Sequence, residues 1–145
     1  MKFLLSFLAI FSFGCINEEA PIMETQIEID TICTDTSFNI KDFVLELHLQ
    51  KIKYTDIVLR QACLETGFFT SYVWRTKNNP FGFYYDGDYI LFNDWRDAVT
   101  YYKEWQDRKY KGGNYYEFLE NVGYAEDTTY TERVKNINLK NLETN

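Results

Sequence analysis

The sequence predicts a mostly helical α+β domain that carries one short β-hairpin. Three observations predict it. Apolar residues recur at helical spacing in separate stretches, among them Phe43, Val44 and Leu47, and later Trp95, Ala98, Val99, Tyr102 and Trp105. Glycines stand where such stretches must stop, at Gly67, Gly112-Gly113 and Gly123. Between them, two aromatic, β-prone runs flank Asp86-Gly87, and a type I′ hairpin turn needs residues that tolerate positive φ at both central positions.

Taken in order, residues 1–14 read as a leader. Lys2 gives a short positive region, residues 3–13 are almost entirely apolar, and Gly14-Cys15 follows. The run is too short to span a bilayer as a stable helix. It resembles a bacterial lipoprotein signal, in which the cysteine is lipidated and becomes the new N-terminus. Ser12 stands where such signals usually carry leucine, and ordinary secretory cleavage is the alternative. Either route puts the mature protein outside the cytoplasm; lipidation of Cys15 would anchor it in the cell envelope, in the periplasm or at the outer surface. Residues 15–36 follow as an acidic tether, residues 37–138 as the domain, and residues 139–145 as a polar tail.

Within the domain, a first helix is expected over residues 40–51, with Phe43, Val44 and Leu47 on one face. Thr55 or Asp56 offers an N-cap for a second helix ending at Gly67. Ile57, Val58, Leu59, Ala62, Cys63 and Leu64 make that helix apolar on almost every side, so it belongs inside the domain. Residues 74–80 read as a loop by their breakers, and the hairpin follows. Asp94 caps a third helix, broken by residues 109–113. A short helix spans residues 115–122. Thr129 and Glu132 have the spacing of a capping box that opens a last helix to about residue 137.

Composition narrows the function. The net charge is −7, and six acidic residues lie between Cys15 and Lys41 without one Lys or Arg. A solvated linker accounts for that stretch. With no basic patch to release counterions, nucleic acid is excluded as a partner. The single His48 supports neither a zinc site nor a Ser-His-Asp triad, and there is no CxxC pair. Cys33 and Cys63 either pair in an oxidising compartment, or Cys63 is a small buried apolar residue of the second helix. Aromatic residues reach 19%, with 12 Tyr and 12 Phe. Most belong to a core, and some are expected in a groove that stacks on flat ligands such as sugars.

Glu65 is the first chemical candidate. It sits in the last turn of the second helix, where a negative charge faces the negative end of the helix dipole. Partial burial acts in the same direction, towards a raised pKa. A carboxylic acid kept protonated near neutrality is what a general acid requires. The alternative is an exposed glutamate at a frayed helix end.

Three blocks then line up in order. Gln61-Ala62-Cys63-Leu64-Glu65-Thr66-Gly67 resembles the catalytic helix end of lysozyme-like cell-wall hydrolases. Asn78-Asn79-Pro80-Phe81-Gly82-Phe83 resembles the Asn-Asn-Leu-Phe-Gly-Ile segment that follows it. Tyr124-Ala125-Glu126-Asp127 with Tyr130 resembles a Tyr-Ala-x-Asp-x-x-Tyr ending. Together they resemble the bacterial glucosaminidases of glycoside hydrolase family 73. The resemblance implies a lysozyme-like fold and a catalytic domain over residues 37–138. It implies cleavage of the β-1,4 bond between N-acetylglucosamine and N-acetylmuramic acid in peptidoglycan glycan strands, with no metal or organic cofactor. Glu65 would be the general acid, and Tyr124 a tyrosine lining the cleft near it. Asn79, Phe81 and Gly82 would shape the floor, and Trp74, Phe81, Tyr84, Tyr85 and Tyr124 would contact saccharide.

The departures are Phe68-Phe69 for the usual Trp-Gly, Pro80 for leucine, and a short segment over residues 83–94. Relatives often carry a longer β-lobe there, with a proposed second carboxylate. Asp86 and Asp94 have turn and cap duties, so Asp88 becomes the candidate. Single-acid mechanisms stay open, in which the acetamido group attacks, or the 6-hydroxyl in a lytic transglycosylase. So does a second class, a peptidoglycan-binding module without turnover.

Overall fold

The structure is a computed structural model that describes residues 38–142. The expected leader and tether, with Cys15 and Cys33, lie outside the described residues, as do residues 37 and 143–145. Six α-helices and one hairpin follow in chain order: α1 (Ile40–Leu49), α2 (Thr55–Thr66), α3 (Tyr72–Lys77), β1 (Tyr84–Tyr85), β2 (Asp88–Tyr89), α4 (Trp95–Lys109), α5 (Tyr115–Asn121) and α6 (Tyr130–Lys135). A 3₁₀ turn, Leu139–Leu142, falls in the expected polar tail. The mostly helical α+β class is therefore as expected.

Helix α2 is the centre of the fold. It packs on α1 and α6, and α1 packs in turn on α4. Val58, Ala62 and Cys63 are fully buried, beside Phe43 and Leu47 of α1, Ala98, Val99 and Tyr102 of α4, and Val134 of α6. Cys63 is a buried free thiol, which matches the small-apolar reading. Burial pushes it up to about 12, so it stays neutral.

Local signals explain most boundaries. The Asn39 side chain caps α1 by accepting from the Lys41 N–H at 2.8 Å. Asp94 and Asp97 form a reciprocal capping box at the head of α4. Asp86 (φ 51°) and Gly87 (φ 86°) both take positive φ and close the hairpin, pairing Tyr84 with Tyr89 and Tyr85 with Asp88.

Three local expectations fail. Neither Thr55 nor Asp56 caps α2; both lie in its first turn, and Tyr54 precedes it in the left-handed conformation. Tertiary packing holds Tyr54 there: its ring stacks on Tyr115 at 4.9 Å and its hydroxyl accepts from Tyr110 at 2.9 Å. The stretch read as a loop, residues 74–80, begins inside α3. Ser71 accepts from the Trp74 N–H at 3.2 Å to start it, and Asn78 (φ 50°) ends it. The Thr129–Glu132 box does not form. Asp127 instead accepts from the Thr129 N–H and hydroxyl at 2.8 and 2.7 Å, one turn ahead of α6.

Candidate active site

Gly67 (φ 55°) ends α2 in the left-handed conformation, its N–H turned back to the last carbonyls of the helix. This leaves Glu65 half-buried on the final turn, at the wall of a groove of about 640 Å³. Burial raises the carboxyl above its ordinary 4.5; a hydrogen bond from the Tyr130 hydroxyl and the charge of Arg133 oppose part of that rise. The net direction is upward, as a proton donor near neutrality requires.

The segment after α3 is built around this carboxyl. Gly82 has φ +67°, and a Cβ on it would lie 2.6 Å from Glu65 Oε2. Glycine is needed there twice, for the backbone conformation and for the space the acid occupies. The preceding carbonyl, of Phe81, accepts a hydrogen bond from the Tyr124 hydroxyl at 2.8 Å. Tyr124 stacks on Tyr130 with ring centroids 5.5 Å apart. Glu65, Gly82, Tyr124 and Tyr130 all line the groove.

The hairpin supplies the opposite side. Side chains alternate across a strand, so Tyr84 and Tyr89 share one face. Their rings meet edge to face at 5.2 Å, and both line the groove. Tyr85 and Asp88 are on the other face. Asp88 pairs with Lys77 of α3 at 2.5 Å, and that contact holds its carboxyl below the usual carboxylate range.

Several candidates are thus displaced. Asp88 is not among the groove residues, because the hairpin register turns it towards α3. Tyr85, on the same outward face, is 77% exposed and does not line the groove. Trp74 is only 6% exposed; it packs against Phe38 at 4.7 Å and Phe69 at 5.3 Å, with no free face for a sugar. Phe81 is buried against Tyr102, with ring centroids 4.4 Å apart. Asn79 is buried as well. Its amide nitrogen donates to the Phe83 and Ile90 carbonyls at 2.8 and 3.0 Å, and its oxygen accepts from the Phe83 N–H at 3.0 Å. Asn79 and Phe81 therefore support the floor from beneath, and the saccharide contact expected of Phe81 has no exposed ring to make it.

Residues missed in the sequence take their place. Tyr89, Glu126, Asp127, Tyr130 and Arg133 line the groove. The hairpin register already pairs Tyr89 with Tyr84, and the Tyr-Ala-x-Asp-x-x-Tyr block already contains Glu126, Asp127 and Tyr130. Asp127 is engaged by Thr129 and by Arg133 (2.9 Å), and these contacts lower it to about 2. Glu126 is the exposed carboxylate beside it. Among the described residues no group of three or more His, Cys, Asp or Glu is placed to hold a metal ion.

Residues 41–143 match the model of the family described as mannosyl-glycoprotein endo-beta-N-acetylglucosaminidase. Comparison with curated proteins and with solved structures returns no match.

Proposed function

The chain belongs to the mannosyl-glycoprotein endo-beta-N-acetylglucosaminidase family, and on that premise we propose that it hydrolyses peptidoglycan, cutting the β-1,4 bond between N-acetylglucosamine and N-acetylmuramic acid. The observation that carries this reading is Glu65, a half-buried carboxyl raised by burial and set against the glycine floor of a tyrosine-lined groove. In its acid form Glu65 gives its proton to the glycosidic oxygen as the C1–O bond breaks. Water completes hydrolysis at C1, and its released proton restores the acid. Tyr84 and Tyr89 present rings and hydroxyls to the sugar, while Tyr124 holds the Phe81 carbonyl of the floor beside it.

Two partners for the attack step fit the groove. With Asp127 engaged by Arg133, Glu126 is the groove carboxylate left to activate water. Alternatively the substrate's acetamido group attacks and no second carboxylate is needed. Lipidation at Cys15, proposed from the sequence, would hold the domain at the cell envelope, facing its substrate.

The test is digestion of purified peptidoglycan by the chain from Thr36 onwards, beside its Glu65→Gln variant, with fragment ends identified by mass spectrometry. Reducing N-acetylglucosamine ends, lost in the variant, are expected. Anhydro-muramic ends would make the protein a lytic transglycosylase using the same acid. Intact glycan with wall binding retained by both proteins would replace hydrolysis with a binding role.

A further inference from the structure

Beneath the groove lies a row of buried polar side chains that the reaction itself does not use. Gln61 and Gln106 are fully buried, as is Tyr102, and Tyr115 and Tyr130 are nearly so. They connect in sequence. Gln106 Nε2 donates to the Tyr115 hydroxyl at 2.8 Å, and the Tyr115 and Tyr102 hydroxyls lie 2.8 Å apart. The Tyr102 hydroxyl donates to Gln61 Oε1 at 2.8 Å, and Gln61 Nε2 donates to the Tyr130 hydroxyl at 3.3 Å. The Tyr130 hydroxyl, which no other described side chain takes as a donor, stands with the Glu65 carboxyl on the groove wall and acts on it to lower its pKa. Among the described residues no buried side-chain nitrogen or oxygen lacks a partner.

The direction of every link follows from one backbone group. Lys53, just ahead of α2, donates its N–H to Gln106 Oε1 at 2.8 Å and accepts from Gln106 Nε2 at 3.0 Å. The Gln106 amide therefore has one permitted orientation, with its second N–H facing Tyr115. Tyr115 accepts that bond, so its single proton goes to Tyr102. Tyr102 in turn gives its proton to Gln61 Oε1. That leaves Gln61 its N–H for Tyr130, and leaves the Tyr130 proton for Glu65. All five side chains donate towards the acid. Burial raises Tyr102 and Tyr130 far above neutrality, so neither hydroxyl loses its proton in the working range.

We infer that Gln106, Tyr115, Tyr102 and Gln61 are positioning residues that carry the polarity of the Lys53 backbone to Tyr130, keeping Tyr130 a donor to Glu65. An acid that must accept from Tyr130 on one oxygen carries its own proton on the other. The chain thus selects the oxygen from which the proton is delivered. That Glu65 is the acid rests on the function proposed above; its titration does not.

The test is a site-resolved ¹³C titration of the Glu65 carboxyl in the full chain and in two variants. Tyr130→Phe removes the last donor. Gln106→Glu reverses the row: the oxygen replacing Nε2 accepts from Tyr115, whether ionised or with its proton on the Lys53 carbonyl. Tyr115 and Tyr102 then turn, the Gln61 amide flips, and the Tyr130 proton is drawn away from Glu65. Arg133 and Tyr130 of α6, Tyr124, Glu126 and Asp127 ahead of it, and Tyr84 and Tyr89 of the hairpin line the groove with the carboxyl; apart from Tyr130 they are the same in each comparison. Both variants are expected to move the Glu65 midpoint to higher pH. The introduced carboxyl's own resonance shows whether it carries charge, which separates reversal from a through-space field. A folded Tyr130→Phe protein that titrates like the parent overturns the proposal. So does a folded Gln106→Glu protein that titrates like the parent, or one that shifts only as its own carboxyl ionises. Failure of the hydrolase reading would show separately, as intact peptidoglycan with these shifts present.

Discussion

At the scale of single residues, Glu65 shows a conflict between chemistry and stability. Its carboxyl is raised from an ordinary 4.5, with burial the largest cause. The folded state therefore binds a proton more tightly than the unfolded chain. Below 4.5 both states hold the proton and the residue costs nothing. As pH rises from 4.5 through the folded value, the folded state must give up a proton it holds more tightly, and stability falls. Glu65→Gln removes that cost while leaving an oxygen for the Tyr130 hydroxyl. The variant is expected to unfold at a higher temperature than the parent at pH 7, with the advantage shrinking to nothing below pH 4.5. Thermal unfolding at pH 4 and pH 7 measures it, and an equal gain at both values would assign the effect to packing. Digestion should be lost at both. The rise itself was legible in the sequence from helix position and apolar neighbours. The opposing hydrogen bond was not, because Tyr130 is 65 positions away and reaches Glu65 only through the packing of α6 on α2.

At the scale of elements, the hairpin shows what the sequence signals contain and what they leave out. The Asp86-Gly87 turn alone implied that Tyr84 faces Tyr89 and that Asp88 shares a face with Tyr85. Which face meets Glu65 was not implied, since that depends on where the base of the hairpin is fastened. Asn79 fastens it: one buried amide ties the Phe83 and Ile90 carbonyls and the Phe83 N–H. Asn78 adds bonds to the Phe92 and Asn93 carbonyls at 3.0 and 3.1 Å. Asn79→Ala would leave those three backbone groups without that partner, at a cost of about 2–4 kcal/mol by the usual penalty for unsatisfied buried groups. Tyr84 and Tyr89 would lose their fixed position over the groove. A lowered denaturation midpoint together with a rise in KM for soluble glycan fragments is expected. A variant that loses stability but keeps KM would show that the hairpin holds its place without this bracket. The missed helix α3 has a similar origin. Its last four residues run into the breakers Asn78-Asn79-Pro80, but Trp74 is buried against Phe38 and Phe69, which join Phe43 and Trp95 in one aromatic cluster, and that packing together with the Ser71 cap makes a helix of residues 72–77.

At the scale of the whole molecule, the family match over residues 41–143 and all the groove residues fall in the same part of the chain. The described residues, 38–142, fall within one compact unit. Catalysis and attachment are then separable, which yields a prediction about Cys15. An acyl chain contributes about 0.8 kcal/mol per buried methylene, one chain alone holds a protein only marginally, and stable anchoring needs two or more. A lipidated Cys15 bearing several chains should place the full protein in the membrane fraction of a bacterium that processes such leaders. Cys15→Ala should either shift it to the soluble fraction, if cleavage still occurs, or leave it bound with the leader attached. Mass spectrometry of the N-terminus separates the two. Acyl groups found on Cys15 of the parent, with equal wall digestion by extracts of parent and variant, are the expected result. A parent that begins at an unmodified residue after ordinary secretory cleavage would remove the anchor and leave the hydrolase free of the membrane. The outcome turns on Ser12, where the expected leader departs from the lipoprotein pattern, and on no residue of the groove.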